Sequence, residues 1–235
     1  MPVRETYSLM CSRYNLTSPP EAVRAYFKLD SIDPFPPRYN IAPTQPVGIV
    51  RRTRGGAREF MLVRWGLIPS WVKDPRQLST LINARAEGVA DKPAFRGAMR
   101  HKRCLVPADG FYEWTGGRGA RRPHLVRPRA GGPIAFAGLR EDWLGADGSE
   151  IETMAILTVP ANALLQPIHD RMPAILPPEA HDAWLDCGAV PAEAAADLLR
   201  PAPEGDLEVI EVSPKLNNSR HDGPELLEPV EGKLL

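Results

Sequence analysis

The chain has 235 residues, 43% of them hydrophobic and 25% charged, with a formal net charge of zero. This is enough apolar material for one sizeable core, at the charge content of an average soluble globular protein. There is no run of 18 apolar residues to span a membrane and no apolar stretch in the first ten residues to act as a secretory signal, and the three well-separated cysteines have no CxxC spacing, so reduced cytosolic thiols are expected rather than a disulfide framework or a zinc site.

Ser18-Pro19-Pro20-Glu21 reads as a capping box opening a helix to about Lys28 that buries Val23, Tyr26 and Phe27. The segment from Asp30 to Pro46 holds too many prolines for a helix or a central strand; Phe35, Tyr39 and Ile41 are expected to pin it as an ordered loop. VGIVRR (47–52) and FMLVRWGL (60–67) read as strands joined by a turn at Gly55-Gly56, followed by a short helix in 92–103. CLVPADGFYEW (104–114) reads as two strand pieces broken at Asp109-Gly110, with further strands at 124–127, 134–139 and 151–159. Helices with proline at their starts follow at 177–186 and 191–200, and LEVIEV (207–212) is the last strand. Strands dominate without regular βαβ alternation. The expected fold is therefore α+β: a single domain with a strongly curved, mainly antiparallel sheet flanked by short helices. Cys104 on its strand and Cys187 at a helix end are expected to be buried.

The zero net charge conceals a split. Residues 1–140 hold 24 Lys and Arg against 10 Asp and Glu, whereas residues 141–235 hold 5 against 19. Either the basic part meets an anionic partner, or the two parts neutralise each other inside one fold. Four polar clusters stand out: Met10-Cys11-Ser12-Arg13; LINARAE, with Asn83, Arg85 and Glu87 alternating on one strand face; DGFYEW, with Glu113 among aromatics; and IHDRMP, with His169, Asp170 and Arg171. Each has a bland explanation taken singly: a buried Cys, an outward Glu, a loop His, a turn Asn.

Taken together, MCSRYN, RYNIAPTQ, WGLIPSW, INARAE, GFYEW, IHDRMPAIL and VSPKLNNSRHDGPELLEP occur in this order from Met10 to Pro229. They resemble the signature blocks of the SOS response-associated peptidase family, also known as abasic-site processing proteins. The resemblance implies one α+β domain over 11–235 with a barrel-like sheet core and a basic groove for single-stranded DNA carrying abasic sites. It implies a covalent link between protein and lesion, and an active-site quartet at Cys11, Asn83, Glu113 and His169. Asn40 and Pro43 match family positions near the damaged nucleotide. Arg13, Arg85 and Arg171 are candidate phosphate contacts, and Trp71 is a candidate for stacking on a base, with core packing as its alternative. No cofactor, metal or membrane is expected, and a monomer is.

The chemistry suits these residues. An amine attacks the aldehyde of an open abasic sugar to give an imine, and a neighbouring thiol closes on the imine carbon to form a thiazolidine; an N-terminal Cys carries both groups. Its α-amine, with a pKa of ~7.7–8.0, is far more often neutral at pH 7 than a Lys of pKa ~10.4. Glu113 among aromatics is the expected acid–base group, His169 a second proton handler, and Asn83 a hydrogen-bonding positioner. Two features depart from the family pattern. Ser12 stands where Gly is commoner, and ten residues precede Cys11. Met10 is the true initiator, or residues 1–10 are a propeptide, or Cys11 stays internal and no thiazolidine forms. A cysteine peptidase using the Cys11 thiolate with His169 as base, and a non-catalytic single-strand binder, are the competing functions.

Overall fold

The structure, a computed structural model, describes residues 11–117 and 119–234. The extension expected over residues 1–10 lies outside the described residues. In chain order the strands are β1 (Tyr14–Leu16), β2 (Arg38–Ile41), β3 (Pro46–Arg52), β4 (Arg58–Trp65), β5 (Asn83–Arg85), β6 (Arg103–Ala108) and β7 (Gly110–Thr115). They continue as β8 (Arg122–Pro128), β9 (Ile134–Leu144), β10 (Glu150–Pro160), β11 (Arg171–Pro173), β12 (Ile175–Leu176), β13 (Leu207–Val212) and β14 (Pro229–Leu234). Among the described residues four short α-helices decorate them: α1 (Pro20–Phe27), α2 (Arg96–His101), α3 (His181–Leu185) and α4 (Ala192–Ala196). None of the described helices is long and apolar enough to cross a membrane.

One sheet runs β14-β13-β8-β7-β1-β2; the other runs β11-β10-β4-β3-β6-β9-β12, with β5 beside β10. Because β10 also pairs with β9, strands β10, β4, β3, β6 and β9 close into a barrel, which leaves these strands no open edge. The α+β expectation with a curled, barrel-like sheet holds. Pairing is antiparallel except where β10 meets β4 and β5 in parallel, at Thr153↔Arg64 and Ile156↔Asn83. Strand β6 and the stretch of β10 from Met154 to Val159 are buried at every residue, because both faces are covered; hence their largely apolar sequences, in which the buried Arg103 and Thr158 are hydrogen-bonded to backbone carbonyls.

The two sheets meet through aromatic rings. Tyr14 of β1 lies edge-on to Trp65 of β4 at 5.2 Å and to Phe136 of β9 at 5.9 Å, and Phe111 of β7 meets Phe136 at 6.1 Å. Each such buried side chain contributes roughly 1.5–3 kcal/mol of hydrophobic stabilisation. Along β7 the residues alternate, so Phe111 joins this main core while Tyr112 joins a smaller cluster with Leu125, Ile210, Val212, Leu216 and Leu226 on the other face. This sheet is therefore covered on both sides, and Glu113, two residues on from Phe111, shares the inner face.

The break at Asp109-Gly110 separates β6 from β7, and Gly110 is required there because a Cβ would sit 2.7 Å from the Val126 carbonyl oxygen. The capping box at Ser18 does not form. Helix α1 starts one residue later, after Pro19, with no side-chain cap, and the Ser18 hydroxyl donates to Asp109 Oδ1 at 2.6 Å instead. Asp109 also takes the backbone N–H groups of Thr17 and Ser18; a carboxylate receiving several donors outcompetes a local cap. Val23 and Phe27 are buried as expected, while Tyr26 is half-buried. Within the proline-rich loop, Arg38–Ile41 forms β2 at the sheet edge, where prolines nearby are tolerated, and Phe35 stacks on Phe60. Cys104 is buried, its thiol pushed up to about 12 by desolvation, whereas Cys187 just past α3 is only half-buried. All three cysteines are free thiols.

Candidate active site and nucleic-acid interface

The strand ladder brings Cys11 to Glu113. The Tyr112 N–H donates to the Arg13 carbonyl and Tyr14 pairs with Phe111, so the chain ahead of β1 runs back along β7. At its start the backbone N–H of Cys11 donates to Glu113 Oε1 at 2.8 Å, across 102 residues of sequence. Both residues are almost fully buried, at 1% and 2% exposure. Burial pushes the Glu113 carboxyl up to about 8; the Cys11 N–H pulls the other way, and the charge of Asp170 adds to the rise. Burial, and then the Glu113 charge, likewise hold the Cys11 thiol well above its ordinary value. No Lys or Arg forms an ion pair with Glu113 among the described residues.

Asp170 stands in the turn that carries His169. The His169 Nδ1 accepts the backbone N–H of Arg171 at 3.0 Å, which assigns the proton of the neutral ring to Nε2. Asp170 Oδ1 also lies 3.1 Å from Nδ1. An ion pair there requires a proton on Nδ1, which the Arg171 N–H opposes, so the backbone hydrogen bond is the one that fixes the ring. Strand β10 joins this turn to Asn83: β5 pairs with it at Ile156–Thr158 and β11 at Thr158–Pro160. Cys11 and Glu113 are thus in direct contact, Asp170 of the 169–171 turn is close enough for its charge to act on Glu113, and Asn83 and Arg85 lie on the strand that pairs with β10 beside β11.

The candidate DNA contacts fall into two groups. Trp71 is 64% exposed, which removes core packing as its role, and Arg85 is exposed with no hydrogen bond or ion pair among the described residues. Arg171, Asn40 and Arg13 instead hold the protein itself. Arg171 is 8% exposed and makes a bidentate pair with Glu87 at 2.5 and 2.8 Å, plus a bond to the Thr158 carbonyl; this pair draws the Glu87 carboxyl below its usual range. Asn40 is 1% exposed, and its amide nitrogen donates to the carbonyls of Leu216, Asn218 and His221. Arg13 donates to Asn40 Oδ1 and to the Leu216 carbonyl. Pro43 is half-buried in the turn after β2, where Thr44 adopts φ 73° and donates its N–H to the Trp65 carbonyl.

Two features were not foreseen in the sequence. Beside Trp71 lies a groove of about 460 Å³ whose lining includes Arg96, Arg100 and His101 of α2. Behind Glu113, cross-strand pairing places His124 directly opposite on β8 and Glu211 opposite His124 on β13. His124 is buried, bonds Thr115 Oγ1 through Nε2 and has no partner for Nδ1; desolvation lowers its pKa. The register of the β7–β8 hairpin creates this row, and only the 3.6-versus-2 periodicity, not the pairing, is readable from a single chain. No group of His, Cys, Asp and Glu among the described residues is arranged to hold a metal ion.

The site holds the backbone nitrogen and the thiol of one residue beside a carboxyl poised near neutral pH, and elsewhere presents an exposed aromatic beside unpaired cations. The family model for SOS response associated peptidase (SRAP) matches residues 10–219. The chain is 36% identical over 223 residues to the abasic site processing protein YoqW of Bacillus subtilis, covering 93% of this chain and 99% of that protein. It is 34% identical over 228 residues to the abasic site processing protein HMCES of Gallus gallus, covering 84% of this chain and 67% of that protein. A solved structure of a protein from Bacteroides thetaiotaomicron superposes with a TM-score of 0.81 at 26% identity, over 94% of this chain and all of that one.

Proposed function

The chain belongs to the SOS response associated peptidase (SRAP) family, and from that premise we propose that it captures abasic sites in single-stranded DNA through the freed amine and the thiol of Cys11. The observation that carries this reading is the buried 2.8 Å contact between the Cys11 nitrogen and Glu113. A nitrogen locked in a peptide bond is no nucleophile, so the reading requires the bond between Met10 and Cys11 to be absent in the active protein. Cys11 has φ 34°, a left-handed conformation that costs a residue with a Cβ ~1–3 kcal/mol. An N-terminal residue has no φ to restrain.

With the amine free, its ordinary pKa of ~7.7–8.0 leaves a useful neutral fraction near pH 7–8, and the Glu113 carboxyl, which burial pushes up from the usual carboxylate range, lies within hydrogen-bond reach to exchange a proton with it. The neutral amine adds to the aldehyde carbon of the open sugar. One amine proton moves to the new hydroxyl oxygen; Glu113 then gives its proton to that hydroxyl, water leaves, and the iminium N–H returns a proton to the Glu113 carboxylate, so that an imine remains. The Cys11 thiol adds across the imine; carbon and sulfur join, and the thiol proton ends on nitrogen. The ring so closed is a thiazolidine. In this reading His169, with its proton on Nε2, assists opening of the sugar, and Asn83 orients it.

The same burial weakens the peptidase reading for the thiol. A thiolate nucleophile needs a depressed pKa, and here burial and a neighbouring carboxyl act in the opposite direction. Arg85 and Trp71 are the contacts best placed to meet DNA, with Arg171, Asn40 and Arg13 acting as positioning residues. The test is incubation of protein starting at Cys11 with a single-stranded oligonucleotide carrying one abasic site, followed by a denaturing gel. A shifted band is expected; acetylation of the Cys11 amine should abolish it. A band that survives acetylation refutes the amine as nucleophile.

A further inference from the structure

One signature stretch plays no part in the chemistry above: VSPKLNNSRHDGPELLEP near the C-terminus. Its first half forms a 3-10 turn at Pro214–Asn217 and a tight bend to Asp222. Leu216 plugs the smaller apolar cluster, which explains one residue of the loop. The rest is polar, exposed and nevertheless fixed. Asn40 binds the carbonyls of Leu216, Asn218 and His221, and Asp222 accepts the N–H groups of Tyr39 and Asn40. A buried Asn with its whole amide engaged holds a surface loop in one shape.

The loop is tied to the two strands that carry the reacting groups. Arg13, two residues beyond Cys11, donates to the Leu216 carbonyl. Trp114, next to Glu113, donates its indole N–H to Asn217 Oδ1 at 2.7 Å, and Asn217 Nδ2 donates to the Arg121 carbonyl at 3.2 Å. Asn217 thus latches the loop to the end of the β7–β8 pair nearest the Cys11–Glu113 contact. The charge is placed against the trend of its surroundings. Residues 141–235 contain only five Lys and Arg, and two of these, Lys215 and Arg220, stand in this one loop. No acidic residue lies from Ser213 to His221, and Asp222 is engaged with backbone. Lys215, Arg220 and the adjacent Arg121 are all exposed, and their side chains make no hydrogen bond or ion pair among the described residues.

We propose that this loop is a second wall of the DNA site, on which Lys215, Arg220 and Arg121 take backbone phosphates of the strand that carries the lesion. The proposal rests on the DNA reading above and adds a surface opposite in sequence to the basic first part. The wall positions the strand and takes no part in bond making.

The test is fluorescence anisotropy with a single-stranded oligonucleotide lacking any lesion, titrated over a series of salt concentrations. Removing one cation from a phosphate reduces the slope of log K against log salt by about 0.7. The double variant Lys215→Ala/Arg220→Ala should therefore lower the slope by about 1.4 and weaken binding several-fold or more near physiological salt. Arg200→Ala, which removes an exposed cation outside this loop, is the control and should leave the slope unchanged. A double variant with the wild-type slope overturns the wall, as does an equal fall in Arg200→Ala. Wild-type protein that binds no oligonucleotide at all removes the DNA reading itself, a result the salt series separates from failure of the wall.

Discussion

Two regions of the molecule treat charge in opposite ways. On one, cations of the basic first part meet acids of the acidic last part. Arg52 pairs with Asp186, Arg58 with Asp182, Lys102 with Asp142 and Arg127 with Glu208. Around the candidate site Arg171 is paired with Glu87, but other charges stay uncompensated. Glu113 is buried without a cation, and Arg85, Arg96 and Arg100 are without acids among the described residues. The ion pairs bear out the internal neutralisation of the two parts, and the unpaired cations are the remainder of the charge split. The lesson is that net charge per segment says little about a partner. What points to an anionic ligand is the cation that the fold leaves unpaired, and what points to chemistry is the acid that it buries alone.

The comparison can be broken most severely at Glu113. Replacing it with Gln keeps the contact to Cys11 but removes the titrating proton, and should slow crosslinking of abasic DNA by roughly 10²–10⁴-fold in a timed gel assay. A variant as fast as wild type would mean that the lone buried acid has no chemical role. The same residue sets a pH dependence of folding. Its folded pKa of about 8 lies above the unfolded value of ~4.3, so the folded state keeps a proton that the unfolded chain has released. Stability should thus fall as pH rises from the unfolded value through about 8, by an amount on the order of a few kcal/mol, and Glu113→Gln should abolish most of that fall. Thermal melts at pH 5 and pH 8.5 measure it; parallel melts for both proteins at both pH values would place the carboxyl in water.

Next in size is Trp71→Ala. Loss of a stacked base costs about 1–3 kcal/mol, so affinity for single-stranded DNA should drop about 5- to 150-fold while the melting temperature holds, because the side chain is exposed. An affinity within a factor of two of wild type would leave this ring without a ligand. The smallest effects come from a matched pair. Arg85→Ala should reduce the salt slope by about 0.7 and leave stability alone. Arg52→Ala should do the reverse, leaving DNA binding intact and costing ~0–1 kcal/mol in denaturant titration. If both variants bind DNA equally weakly, paired and unpaired cations are equivalent and the distinction fails.

Much of the architecture is legible along the chain. The hairpin strands, the break at Asp109-Gly110 and the buried strand around Cys104 follow from local alternation and turn chemistry, which act over a few residues. Three things do not. The parallel pairing of β10 with β4 and β5 depends on how distant strands close a barrel. The fate of Ser18 is decided by Asp109, 91 residues away. Asn40 and Arg171 carry the same donors that a DNA contact needs, and only the fold reveals that Asn40 faces the carbonyls of the C-terminal loop and Arg171 faces Glu87. The Cys11–Glu113 contact is an intermediate case. The motif resemblance groups the two residues, but the ladder between β1 and β7 is what sets nitrogen against carboxyl.

The most direct measurement is mass spectrometry of the protease-digested adduct formed with an abasic oligonucleotide. The account predicts that the sugar remnant sits on a peptide whose first residue is Cys11, with amine and thiol both blocked to further reagents. A remnant carried by a lysine, or by a peptide in which Met10 still precedes Cys11, would contradict it.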